Sequence, residues 1–264
     1  MNYSALCHKT IEIVYQASEI LKENFGKINH TDIEFKGKND LVSFVDRETE
    51  NFLKSKLSDL IPESGFLAEE SGLSDFKDTD YLWIIDPLDG TTNYLHHLPL
   101  YSVSVALQEN NETVIGIVYE VVNDEMFYSY KGGNAMLNGE RINVSATADL
   151  QNALLATGFP IKNFEIIDDY LRIFRNLVTQ TRGIRRLGTA AVDLAYVACG
   201  RFDGFFEYNL SPWDVAAGDF IVRQAGGSVS DFSGKNNFLY GRQILAANSL
   251  IFNELLKNVI SDKD

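Results

Sequence analysis

The chain has 264 residues, more than one compact domain usually holds, so two subdomains or one large α/β unit are expected. With 45% hydrophobic and 23% charged residues it has the composition of a soluble globular protein. Its net charge of −14 disfavours nonspecific binding to nucleic acid or to an anionic membrane, but not an anionic substrate, because bound cations reverse the sign locally.

Met1 to Thr10 is polar and lacks the apolar core of a signal peptide, and the longest strongly apolar run, near Val114 to Val122, is far too short to span a bilayer. Cys7 and Cys199 lack paired spacing and lie in apolar-periodic segments. They read as reduced core residues of a cytoplasmic protein.

In chain order, Cys7, Ile11, Val14, Ser18, Leu21 and Phe25 recur at steps of three and four, which predicts an amphipathic helix closed by Gly26. Ile33-Glu34-Phe35 alternates briefly, and Lys36 to Asp40 reads as a polar loop. Val45, Thr49, Phe52, Leu53, Leu57 and Leu60 predict a second helix ending before Pro62. Asp46 lies near its start, where an acid can serve as a cap. Gly65 to Ala68 is a short strand running into Glu69-Glu70. Adjacent acids on a strand face opposite ways, so at most one of the two joins a common site.

Trp83-Ile84-Ile85 is a buried strand that stops at Asp86-Pro87-Leu88-Asp89, with Pro87 expected to turn the chain out of the sheet. Gly90, Thr91 and Thr92 follow and can open a helix, whose first amides suit a phosphate. Two close carboxylates repel unless a cation or proton lies between them, and hard oxygen ligands beside free amides suggest magnesium holding a phosphate ester. An ordinary turn with both Asp side chains bonded to local amides would use the same residues. Alternation at Tyr101 to Leu107, then Thr113 to Val122 and Met126 to Tyr130, with turns at Asn110-Asn111 and Asn123-Asp124, predicts an antiparallel meander ending near Gly132-Gly133.

Beyond residue 145, strands at Ala153 to Thr157, Gly204 to Glu207, Ser228 to Ser230 and Gln243 to Ala246 alternate with helices. These helices lie around Tyr170 to Val178, Thr189 to Cys199, Val215 to Gln224 and Leu250 to Ile260. No His-x-x-x-His zinc spacing occurs, and no twelve-residue loop of alternating oxygen ligands suggests a structural calcium site.

Three acidic places now stand at element ends: Glu69, the Asp86–Asp89 pair, and Asp214 in Trp213-Asp214-Val215-Ala216-Ala217-Gly218. In that order, with Gly65 to Ser71, Trp83 to Asn93, Gly188 to Ala191, Phe206-Glu207 and Ala225-Gly226-Gly227, the chain resembles the inositol monophosphatase family of lithium-sensitive, magnesium-dependent phosphatases. The resemblance implies a layered αβαβα sandwich. Residues 1–145 would be an α+β, antiparallel-sheet half with most metal ligands, and 146–264 an α/β half with Asp214 and substrate contacts. It implies that Glu69, Asp86, the Leu88 carbonyl, Asp89 and Asp214 hold two or three Mg2+ ions. Glu69, Thr91 and Asp46 would be catalytic, Thr91 orienting a water held by Asp46 so that the cap role of Asp46 gives way. Gly90 and Thr91 would bind phosphate oxygens, and Asp89, Gly188, Thr189, Ala190 and Glu207 the alcohol. Lys36 matches a mobile-loop lysine of unsettled role.

The implied reaction is hydrolysis of a polyol or sugar phosphate, myo-inositol 1-phosphate first. A fructose bisphosphate, histidinol phosphate or phosphoadenosine nucleotide would use the same chemistry, and a further protein-binding regulatory role is the other alternative. Arg182, Arg185 and Arg186 could reach a second phosphate, but are expected to be surface charges or subunit contacts. A homodimer acting on a small phosphate ester, with no nucleic acid and no membrane, completes the expectation.

Overall fold

Helices α1 (Tyr3–Asn24) and α2 (Phe44–Leu60) both start at side-chain caps. Asn2 Oδ1 accepts the Ala5 amide at 3.1 Å, and Ser43 with Asp46 closes a capping box. Their buried stripes, Leu6, Thr10, Ile13, Val14, Ala17 and Leu21 on α1 and Val45, Thr49, Leu53 and Leu57 on α2, follow three- and four-residue steps. The computed structural model describes residues 1–28, 34–37, 40–72, 79–160 and 164–260, with the backbone alone for 34–37 and 40–42. Between the two helices, β1 (Glu34–Gly37) and β2 (Asp40–Val42) pair antiparallel, so Lys36 and Asp40 belong to strands and not to the expected polar loop.

The larger sheet runs in spatial order through β3 (Gly65–Ala68), β4 (Tyr81–Asp89), β5 (Ser102–Glu109), β6 (Glu112–Glu120), β7 (Glu125–Tyr130), β8 (Met136–Leu137) and β9 (Glu140–Arg141). β3 and β4 are parallel and the rest antiparallel, so the meander starts from one parallel edge. It also runs past Gly132-Gly133: Asn138 and Gly139, both at positive φ (48° and 86°), turn β8 into β9. Nor does β4 stop at Pro87. Pairing passes from Asp86↔Ser104 to Asp89↔Ser102, three steps on one strand against two on the other. Pro87 therefore sits in a β-bulge, where a missing N–H costs little.

After α3 (Thr91–Leu95) and the meander, a second sheet forms from β10 (Leu154–Thr157), β11 (Gly183–Arg185), β12 (Gly204–Tyr208), β13 (Gly227–Ser230) and β14 (Gln243–Asn248), in spatial order β11-β10-β12-β14-β13. β11 joins the edge of β10 in parallel, and its three residues are too few to show a period in the sequence. Helices α5 (Ala190–Ala198) and α6 (Pro212–Gln224) lie between the two sheets, while α4 (Ile167–Gln180) and α7 (Phe252–Val259) cover the far face of the second. With α1 and α2 on the outer face of the first sheet, the layers read αβαβα, as expected. Among the described residues no helix is long and apolar enough to cross a membrane.

Candidate active site

The parallel pair β3 and β4 ends in register, Ala68 against Ile85, so the chain leaves both strands at one place. Glu69 follows β3 and donates its amide to the Ile85 carbonyl at 3.2 Å, which sets it beside Asp86. Glu69 and Glu70 lie in a turn, not on the strand, so the alternation expected of them does not apply. That turn is held from behind. Glu50 of α2, only 2% exposed, accepts the Glu70 amide at 2.8 Å and the Ser71 amide at 3.1 Å.

In the bulge, Asp86 Oδ1 accepts the Leu88 amide at 3.0 Å, a local turn of the kind Asp favours, and Asp89 emerges one strand pair later. Gly90 then takes φ 94° as the N-cap of α3. A Cβ there would also press on the Leu100 carbonyl at 3.3 Å, so conformation and space both require glycine. Asn93 fixes the far side of this turn, donating to the Leu100 and Leu187 carbonyls at 3.0 and 2.9 Å.

The second half of the chain closes the site with helix ends. Thr189 caps α5 and its hydroxyl donates to Asp89 Oδ2, which also accepts the Ala191 amide at 2.8 Å. Asp89 is thus drawn to the positive end of α5. Asp214, in the first turn of α6, accepts the Ser211 amide at 2.6 Å in a capping box. Glu207 comes from β12.

A cleft of about 160 Å³ joins these parts, lined by Glu69, Asp86, Leu88, Asp89, Gly90, Thr91, Gly188, Thr189, Ala190, Glu207 and Asp214. Of the residues singled out in the sequence, Asp46 lies behind the lining, with Oδ1 3.2 Å from Thr91 Oγ1. The Thr91 hydroxyl is also 2.9 Å from the Leu88 carbonyl. Asp46 Oδ2 meanwhile accepts the Ser43 amide at 2.9 Å, so the cap role does not give way: one carboxylate serves α2 and Thr91 together. The side chain of Lys36 lies outside the described residues. Arg182, Arg185 and Arg186 are all exposed, as expected of surface charges, and Arg186 in addition lines the cleft, its guanidinium 5.5 Å from the centre of the Phe159 ring.

Negative charge dominates this space. The Asp86 carboxyl is 1% exposed and is pushed well above the usual carboxylate range, by burial first and then by Glu69, Asp89 and Asp214. Burial also raises Asp89, to about 6, against the hydrogen bonds from Thr189, Ala191 and Ala190. Glu207 is raised well above its ordinary value by burial and by Asp214, with Arg186 opposing. Asp46 is raised by burial, and its bonds from Ser43 and Thr91 work the other way. Among the described residues, no three His, Cys, Asp or Glu side chains form a ready-made cage for an ion. The donor set is nonetheless all oxygen, and so many carboxylates around one buried Asp are stable only with added protons or hard cations. On that chemistry the residues fit magnesium.

Glu50 and Asn93 were not singled out as functional residues in the sequence. The signal for Glu50 was an acid on the buried stripe of α2, one turn after Asp46 and one before Leu53.

Residues 4–263 match the model of the inositol monophosphatase family. An inositol-1-monophosphatase of Mesorhizobium japonicum is 40% identical over 259 residues, 98% of this chain and 97% of its own. A Pseudomonas aeruginosa protein named Nus factor SuhB is 42% identical over 247 residues, 92% of this chain and 91% of its own. The crystal structure of an extragenic suppressor protein suhB from Bartonella henselae superposes with a TM-score of 0.92 at 39% identity, over 98% of this chain and 99% of that one. With motifs, layers and whole-length matches in agreement, the chain belongs to the inositol monophosphatase family, whose members are phosphomonoesterases.

Proposed function

We propose that the protein hydrolyses the phosphate monoester of a polyol, with myo-inositol 1-phosphate the first candidate, in a magnesium-dependent reaction. The observation that carries this reading is the meeting of Glu69, Asp86, Asp89 and Asp214 at one cleft with the head of α3. Glu69, Asp86, the Leu88 carbonyl, Asp89 and Asp214 would hold the ions. When bound, these would lower the pKa of the attacking water and neutralise charge on the phosphoryl oxygens.

The remaining chemistry falls to the chain. The Gly90 and Thr91 amides, at a helix start where no intrahelical acceptor exists, donate to the phosphoryl oxygens. Thr91 Oγ1 orients the water in line with the scissile P–O bond, and the water's proton passes through that hydroxyl toward Asp46 Oδ1. The new P–O bond forms as the bond to the alcohol breaks, and the leaving oxygen takes a proton from solvent. Glu207, Gly188, Thr189 and Ala190 border the space left for the alcohol, where the Glu207 carboxylate favours hydroxyls over a second anion. Arg186 on the same wall is the feature that favours a second phosphate.

The test is phosphate release with Mg2+ from myo-inositol 1-phosphate, fructose 1,6-bisphosphate, histidinol phosphate and 3′-phosphoadenosine 5′-phosphate, compared by kcat/KM. Asp89→Asn should fold and lose that release, and equal turnover by the variant would refute the mechanism. The reading includes a cytoplasmic homodimer, in keeping with two unpaired cysteines and checked by sedimentation velocity. A second role, binding a macromolecular partner, is favoured by the relatives named Nus factor SuhB at 40–42% identity. Capture experiments with Asp89→Asn as bait would identify a stoichiometric partner or show that none is held.

A further inference from the structure

Gly158 follows β10, immediately beyond the register pair Thr157↔Phe206, and so lies beside Glu207 of the neighbouring strand. The glycine is buried and lines the cleft, directly after the sheet-paired Thr157. Ahead of it, Thr157 is paired into the sheet and donates its hydroxyl to the Phe206 carbonyl at 2.8 Å. Behind it, the exposed Phe159 ring has the Arg186 guanidinium 5.5 Å from its centre and the Tyr170 ring edge-on at 6.0 Å, and Pro160 stiffens the chain. A Cβ built on Gly158 would overlap Oε1, Cδ and Oε2 of Glu207 together, so the carboxylate lies flat against the glycine. The carboxylate is the far end of a flexible side chain and Gly158 directly follows a paired strand, so a side chain at 158 displaces the carboxylate first.

We infer that Gly158 is a specificity-determining residue: the space it leaves fixes where the Glu207 carboxylate meets the hydroxyls of the leaving alcohol. This rests on the phosphomonoesterase reading and deepens it, assigning the preference for polyhydroxylated alcohols to a gap as much as to a charge. The side chain of Glu207 has few alternatives. Asp214 and Asp89 repel it on the cleft side and Arg186 attracts it, so a displaced carboxylate moves toward the arginine and abandons its place.

The test is the ratio of kcat/KM for myo-inositol 1-phosphate to kcat/KM for 4-nitrophenyl phosphate, whose leaving group has no further hydroxyl. Gly158→Ala should lower this ratio about tenfold or more, because a polar site that no longer meets its hydroxyl loses discrimination. Glu207→Ala should lower it too, and adding Gly158→Ala in that background should lower it no further. The same cycle read by thermal unfolding should find Gly158→Ala destabilising alone and close to neutral beside Glu207→Ala. If Gly158→Ala fails to fold, folding of the double variant with the ratio of Glu207→Ala supports the proposal. An unchanged ratio in Gly158→Ala, or a further fall in the double variant, would overturn it. Phosphate release from neither ester by the unaltered protein would overturn the phosphatase reading itself, and the inference with it.

Discussion

Replacing Glu50 by alanine should both loosen the fold and weaken the hold on Glu69. Its two accepted amides, at 2.8 and 3.1 Å, are bonds to a carboxylate in a site that is 2% exposed on the Glu50 side. Each such bond is worth about 1.5–3 kcal/mol, and the donor residues Glu70 and Ser71 are half-buried and exposed, so water recovers part of the loss. The net cost of Glu50→Ala comes to about 2–3 kcal/mol, or roughly 5–10 °C in Tm for a chain of this size. Glu50→Gln keeps one acceptor oxygen and should cost about 1–2 kcal/mol. Urea unfolding at constant m would read these values, and amide exchange at Glu70 and Ser71 should quicken in both variants. Because the same turn carries Glu69, the Mg2+ concentration for half-maximal activity should rise in the order of the stability losses. A Glu50→Ala protein with undiminished stability, or with exchange at those two amides unchanged, would refute the argument.

Mg2+ at a hundred times its Kd should stabilise the protein by about 2.7 kcal/mol per site in thermal unfolding, and the gain should vanish in Asp86→Asn/Asp214→Asn. A chelator should abolish phosphate release and excess Mg2+ restore it. Gly116→Ala in β6 would set a Cβ 2.7 Å from the Ala217 carbonyl of α6, a backbone atom that cannot swing aside, and should cost about 1–3 kcal/mol by urea unfolding. Asp231, 9% exposed, accepts the Ser233, Lys235 and Asn237 amides and the Ser233 hydroxyl. Burial works against its ionisation, but those bonds outweigh it and hold the carboxyl below its usual value. Its contribution is therefore complete above the ordinary carboxyl range and lost as pH falls through that range to the lowered native value. Asp231→Asn should cost about 1–2 kcal/mol at pH 7, and the gap to the unaltered protein should narrow as pH falls through the ordinary carboxyl range toward that lowered value.

Much of this was legible because local chemistry and fold agree. The stripes of α1 and α2, the strict alternation of β5 and the paired asparagines at 110 and 111, both left-handed at φ 51° and 66°, each announce their element. The acids of the cleft could be named because they end elements in recognisable blocks. What escaped was decided at a distance. Pro87 argued for a strand end, yet the bulge opposite Ser102 to Ser104 absorbed it. The two-residue strands β8 and β9 are too brief for a period, although Asn138-Gly139 was a hairpin signal. Glu50 stands on the buried stripe of α2, but the amides it accepts are brought to it only when the turn beyond β3 folds back onto that helix. Arg186 joins the cleft only because β11 docks on β10, a pairing no local pattern foretells.

The α5–α6 pair has a mechanical consequence. Its small side chains serve as the common filling of both sheets, and Asp89 on one side is tethered to the Thr189 hydroxyl and the Ala191 amide on the other. Neither sheet can peel away without baring that filling to water, so cleaving the chain between β9 and β10 should yield fragments that hold their shape only when they reassociate. Melting should proceed as one event, and the cleft, lined from both sheets, should be among the first features lost when the sheets begin to part.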